Sequence, residues 1–150
     1  MRVADVMTPK PVALKPGDTV HRALKTMAKH GISGCPVTSR GKLVGILSQS
    51  DVVALVDVHA GIQRGTAPLL LASLLTQKYD GLKPALRAVL KAPVRKHMQQ
   101  DVITVDADAD VYDAVKLMNK HNIERLPVID GDRLVGIVSK TDVARLLGKL

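Results

Sequence analysis

The stretch "GIVSKTDV", Gly136–Val143, decides how this chain is read. It opens as an apolar, strand-like run, turns polar at a serine, and ends with a carboxylate where a helix would start. "GILSQSDV", Gly45–Val52, has the same design. Working outward from this pair, a shift of 91 residues lays Val3–Val56 over Val94–Leu147 without a gap, and 19 of the 54 pairs are identical. The identities include Met7/Met98, Val20/Val111, Ala23/Ala114, Met27/Met118, His30/His121, Pro36/Pro127 and Asp51/Asp142. An internal repeat governs any further reading of a sequence. The chain divides into a first copy (1–56), a connector (57–93) and a second copy (94–150).

Each copy carries the same signals in the same order. "PVALKP" and "VITVDA" are short β-type runs. Thr19 and Asp110 stand where an N-cap belongs, just before periodic apolar stretches. Val20, Ala23, Leu24 and Met27 follow at helical spacing, as do Val111, Ala114, Val115 and Met118. Gly31 and Asn122 fall where a left-handed residue would end those helices. "CPVTS" and "LPVID" are paired with "LVGIL" and "LVGIV" across the turns "RGK" and "GDR", which reads as a hairpin. A second helix begins near Asp51 and near Asp142. The unit is β-α-β-β-α, a mixed α/β (α+β) design. One such unit alone would bury too little surface to be stable. Two copies in one chain are therefore expected to pack on each other about a pseudo-twofold axis.

The connector reads as helical. Thr66 is a candidate cap with Pro68 in the first turn, and Leu70, Leu71, Leu74 and Leu75 form a stripe. Asp80 is a candidate start for a second helix, with Leu82, Leu86, Val89 and Leu90 on one face and Lys83, Arg87 and Lys91 on the other. Packing on its own module is favoured over an exposed partner surface, because amphipathic helices mostly serve cores.

Composition bounds the rest. The chain has 150 residues, is 46% hydrophobic and contains two Tyr, no Phe and no Trp, so its core is aliphatic. Stacking of single-stranded bases calls for aromatic rings that are nearly absent here. No apolar run approaches the roughly 18 residues of a membrane span, and "MRVADVMTPK" lacks the apolar stretch of a signal peptide. With one cysteine, Cys35, a soluble cytoplasmic protein is expected. The net charge is +8. Residues 94–150 are balanced, at 9 Lys and Arg against 9 acids, so the excess lies in the first 93 residues. Such a field favours anionic partners, among them phosphorylated small molecules and nucleic acid.

The repeated turn carries chemistry. Gly45 and Gly136 let a backbone or a ligand approach closely. Ser48 and Ser50, or Ser139 and Thr141, can donate to phosphate oxygens, as can the free N–H groups of the following helix. Asp51 or Asp142 can accept two hydrogen bonds from a ribose diol. Taken singly, Ser-x-x-Asp before a helix is most simply an N-cap. Its recurrence at matched places is what points to a nucleotide.

The unit resembles the CBS domain, and the whole chain resembles a tandem CBS pair, or Bateman module. "DVMTPKPVALKPGDTV", "HNIERLPVIDGDRLVGIVSKTDV" and the repetition itself carry the resemblance, which covers about 3–56 and 94–147. The connector is longer than the link such pairs usually have. The resemblance implies a non-catalytic module that binds AMP, ADP, ATP or a related adenosyl ligand in two composite clefts. One cleft would combine Gly136, Ile137, Ser139, Thr141 and Asp142 with Lys10, Val12, Ile32 and Ser33. The other would combine Gly45, Ile46, Ser48, Ser50 and Asp51 with Ile103, Ile123 and Arg125. Val and Ile would hold the base. Asp101 and Glu124 flank Arg125 and would repel phosphate, whereas Lys10 has no acid near it in sequence, so the Asp142 cleft is favoured. A homodimer acting on an effector in trans is expected.

The basic first half could bind nucleic acid or another anionic partner, or the module could be purely structural. His30 and His121 suit helix C-termini, Cys35 aligns with Leu126 as a small core residue, and no spacing resembles a zinc site. Asp106, Asp108, Asp110 and Asp113 suit a helix N-terminus. No nucleophile–base pair or phosphate-loop lysine is legible, so no enzyme, catalytic cofactor or metal is expected.

Overall fold

The computed structural model describes residues 1–59 and 83–149. In chain order they form β1 (Thr8–Pro9), α1 (Val20–His30), β2 (Gly34–Ser39), β3 (Lys42–Ser48), α2 (Gln49–His59), α3 (Lys83–Lys91), β4 (Val105–Asp106), α4 (Val111–Lys120), β5 (Arg125–Asp130), β6 (Arg133–Ser139) and α5 (Lys140–Leu147). The helical spacing of Val20, Ala23, Leu24 and Met27 becomes α1, with Val20, Ala23 and Met27 fully buried and Leu24 half-buried. Thr19 caps it by accepting a hydrogen bond from the Arg22 N–H at 3.1 Å. Asp110 caps α4 by accepting from the Tyr112 N–H at 2.8 Å. Gly31 ends α1 at φ 61°, and Asn122, in the matched place, follows α4 at φ 52°. Asparagine tolerates the left-handed region better than most residues, which explains why the second copy manages without glycine.

The hairpin turn of the first copy has two left-handed residues, Arg40 (φ 52°) and Gly41 (φ 81°), as a two-residue turn matched to strand twist requires. The β-type run "PVALKP" is shorter than expected. Only Leu14 pairs, in a single parallel bridge to Val37. Pro11 and Pro16 have no N–H to offer a ladder. "VITVDA" likewise reduces to β4, parallel to β5.

Contacts group the chain into two units. One holds Met1–Ala13, Thr38–Gly45 and Gln100–Leu150; the other holds Leu14–Val37 and Ile46–Gln99. In the first unit β6 is flanked by β5 and by β1, both antiparallel. Its core gathers Val3, Val105, Ala114, Met118, Leu126, Val128 and Val138. Subtracting 91 gives, for six of these, Leu14, Ala23, Met27, Cys35, Val37 and Leu47, and all six are buried in the second unit.

The seventh position reveals how the chain is shared. Val3 opens the first copy but lies in the unit built on the second copy, where its N–H donates to the Ala109 carbonyl at 2.9 Å. Val94 opens the second copy but donates to the Asp18 carbonyl at 2.7 Å. Ala109 and Asp18 are repeat-equivalent. Each copy's leading segment therefore completes the core of the other, an exchange that no local sequence pattern announces.

In the connector, α3 packs on α1 and α2 within its own unit, with Val89 buried and Arg87 and Lys91 exposed. That agrees with a helix serving its module. The readings placed on Thr66, Pro68, Leu70, Leu71, Leu74, Leu75, Asp80 and Leu82 lie outside the described residues.

Candidate functional site

Both hydroxyl–carboxylate turns form, and both are reciprocal caps. The Ser139 N–H donates to Asp142 Oδ2 at 2.9 Å, and the Asp142 N–H donates back to Ser139 Oγ at 3.2 Å. The serine hydroxyl adds a 2.7 Å bond to the same carboxylate oxygen. In the first copy the Ser48 N–H donates to Asp51 Oδ2 at 2.9 Å, and the Asp51 N–H to Ser48 Oγ at 3.2 Å. The simple capping role is thus real. It uses only one carboxylate oxygen of each aspartate, which leaves Oδ1 as the chemically informative atom.

The two Oδ1 atoms have different partners. Asp142 Oδ1 accepts from Arg145 Nη1 at a long 3.4 Å, and the arginine side chain is 66% exposed against 11% for the aspartate. Asp51 Oδ1 accepts from Gln99 Nε2 at 3.0 Å. Position 54, the counterpart of Arg145, is alanine.

Beside the Asp142 turn, β1 runs antiparallel to β6, with Thr8 opposite Ile137 and Pro9 opposite Gly136. Gly136 is what permits this. A Cβ there would lie 3.0 Å from the Thr8 carbonyl oxygen and 2.9 Å from Met7 Cγ. The close approach anticipated at this glycine is made by the chain itself. Lys10 follows β1 and donates its N–H to the Val135 carbonyl at 3.3 Å, with its own backbone left-handed at φ 49°. A lysine in that region costs about 1–2 kcal/mol, and such strain tends to collect at functional positions.

The residues of the favoured cleft thus divide as follows. Lys10, Val12, Gly136, Ile137, Ser139, Thr141 and Asp142 belong to one unit, with Thr141 and Lys10 exposed and Val12 and Ile137 half-buried. Ile32 and Ser33 belong to the other, where the Ser33 carbonyl accepts the Gln49 N–H at 2.9 Å. Of the second set, Ile46, Ser48, Ser50 and Asp51 lie in the unit that contains Gln99, and Gly45, Ile103, Ile123 and Arg125 in the other. Ile103 and Ile123 pack against the core of that unit, and Arg125 sits opposite Ser139 in the β5–β6 register.

Three functional candidates escaped the sequence reading. Arg145 was legible in principle, three residues beyond Asp142 on one helix. Lys140 donates its N–H to the Glu124 carbonyl at 3.0 Å and its Nζ to the Glu124 carboxylate at 3.2 Å, so these two opposite charges offset each other. Gln99 reaches Asp51 across 48 residues of chain, which no periodicity encodes.

Surface hollows of about 520, 410 and 260 Å³ lie on α1, along the Asp106–Ala109 loop, and among Leu43, Val102, Thr104 and Ile129. None of the three includes Asp51 or Asp142, so the candidate site rests on hydrogen-bond chemistry rather than on cavity size. Among the described residues no cluster of three or more His, Cys, Asp or Glu could hold a metal ion, and no helix is long and apolar enough to cross a membrane.

A family model for the CBS domain matches residues 3–57 and 94–149. The uncharacterized protein MJ1426 of Methanocaldococcus jannaschii is 35% identical over 98% of this chain and 91% of its own length. Among solved structures, the CBS domain pair of protein MJ0100 in complex with 5′-methylthioadenosine and S-adenosyl-L-methionine is 27% identical, with a TM-score of 0.68 over 99% of this chain and 97% of that one. CBSX2 in complex with AMP is 26% identical, with a TM-score of 0.73 over 99% and 96%. Other relatives are longer, and this chain spans 40% of one of them.

Proposed function

The chain belongs to the CBS-domain family, with one domain in each sequence copy, and from that premise we propose that it is a non-catalytic regulatory module that binds an adenosyl ligand at the Ser139–Asp142 turn. The observation that carries this reading is the state of Asp142. One oxygen of its carboxylate holds the turn, while among the described residues the other meets only a long, exposed arginine contact. A ribose diol offers that oxygen shorter donors. Arg145, released, and Lys10 are then available to a phosphate, and guanidinium groups suit phosphate geometry well. Val12 and Ile137 supply aliphatic surface for the base. Solved CBS pairs whose ligands are adenosyl compounds support this ligand class. AMP, ADP or ATP is the proposed natural choice, because cations outnumber acids at this turn.

Binding would act by favouring one of two arrangements of the protein, which requires different affinities for the two. The module is proposed to work as a homodimer, with an effector protein in trans reading the change. A thermal-shift screen of AMP, ADP, ATP, S-adenosylmethionine, 5′-methylthioadenosine and NAD tests the reading. Stabilisation should rise with ligand concentration relative to the dissociation constant, by about 2.7 kcal/mol at a hundredfold excess over it. No shift with any adenosyl compound would refute it.

A second reading is favoured by charge. The unit containing α1 and α3 carries 11 Lys and Arg against 4 acids, while the other carries 11 against 10. Arg22, Lys25, Lys29, Arg87, Lys91, Arg95 and Lys96 are all exposed. That surface suits an acidic protein or a nucleic acid. Oligonucleotide affinity falling linearly on a log–log plot against salt would identify phosphate contacts.

A further inference from the structure

The two hydroxyl–carboxylate turns are equivalent in sequence but not in hydrogen bonding, and the difference traces to one residue. Gln99 is fixed beside β3 by two backbone bonds. Its N–H donates to the Ile46 carbonyl at 2.8 Å, and its carbonyl accepts the Ile46 N–H at 2.9 Å. With its backbone held there, its side-chain amide donates to Asp51 Oδ1 at 3.0 Å. The repeat counterpart of Gln99 is Thr8, which pairs with Ile137 as Gln99 pairs with Ile46. Threonine is shorter by two heavy atoms along the chain and ends in no amide. Asp142 Oδ1 accepts instead from the exposed Arg145 at 3.4 Å.

We infer that Gln99 is a built-in occupant of the first-copy turn, holding the carboxylate oxygen that a ribose hydroxyl would need, and that the chain therefore binds one adenosyl ligand rather than two. This rests on the reading of Asp142 as a ribose acceptor. A ligand at Asp51 must first displace a charge-assisted hydrogen bond whose donor is already tethered, whereas at Asp142 it displaces a long contact to a side chain that returns to water. The electrostatics reinforce the choice. Lys10 and Arg145 have Asp101 and Ala54 as their repeat counterparts, so neither of these two cations recurs at the equivalent position.

The test is a calorimetric stoichiometry on the full chain, with AMP and S-adenosylmethionine titrated separately. Wild type should bind one equivalent. Gln99→Thr, which copies the residue found in the first copy, should bind two, the added site being at least about tenfold tighter than any residual binding there in wild type. Gln99→Ala should do the same, which guards against a peculiarity of threonine. Adding Asp51→Asn to either variant should return the count to one. Two equivalents in wild type, or one equivalent in both folded Gln99 variants, would overturn the inference while leaving the Asp142 reading intact. Binding only after Gln99 is replaced would support the role of Gln99 and refute the Asp142 reading. No binding of either probe by any variant would remove both.

Discussion

Lys10 shows how a single side chain can be held at a cost to stability. Its backbone is left-handed while its N–H bonds the Val135 carbonyl beside β6, although the proline that follows by itself favours an extended backbone there. Lys10→Gly should relieve the strain and raise stability by up to about 1 kcal/mol in denaturant unfolding. The same change should weaken phosphorylated ligands more than 5′-methylthioadenosine, which has no phosphate. A loss equal for both ligands would mean that Lys10 only shapes the loop. The buried methionines are a contrasting case. Met27 and Met118 are fully buried at equivalent positions, and replacing either by alanine should cost about 2–5 kcal/mol. Their equivalence was legible in the repeat because apolar spacing records burial directly. Gln99 was not legible, because a polar residue in a loop carries no sign of the distant carboxylate it will meet.

Where strands and turns meet, the sequence was informative about caps and hairpins but not about β1. A two-residue strand containing a proline leaves no period to detect, and its partner lies more than a hundred residues away. Gly136 was readable as a close-approach position, yet what approaches it is β1 and Met7. Gly136→Ala should force that strand away from β6 and destabilise the protein by about 1–3 kcal/mol. It should also weaken ligand binding, since Lys10 would move with β1. Near the hairpin tips, the Lys42 ammonium bonds Asp132 at 3.0 Å and holds that carboxyl below its ordinary value of 3.8. A lowered folded value means that the pair stabilises the fold above the unfolded value and ceases to do so as pH falls through the folded one. Melting temperatures of wild type and Asp132→Asn should therefore differ at pH 6 and converge as the pH drops below about 3.8. A gap that stayed constant down to pH 2 would show that the ionised carboxylate is not what matters.

At the scale of the molecule, two like copies each lend their leading segment to the unit built on the other. The 91-residue shift predicted two like copies, and the matched buried positions bear that out. The shift could not reveal that Val3 and Val94 cross over, because each is apolar and would suit either core. The uneven charge, concentrated in the unit that holds α1 and α3, separates a small-ligand sensor from an anionic-partner binder by their salt responses. Oligonucleotide affinity should collapse between 50 and 200 mM salt if phosphate contacts dominate, whereas affinity at the partly buried Asp142 should change far less. Ligand binding turns on the second oxygen of Asp142 accepting from the ligand. Calorimetric titration of AMP into wild type and Asp142→Asn tests it most directly, since asparagine keeps one oxygen for the serine cap and turns the other acceptor into a donor. The folded variant should bind at least about tenfold more weakly; unchanged affinity in a folded Asp142→Asn protein would rule out this role for the oxygen.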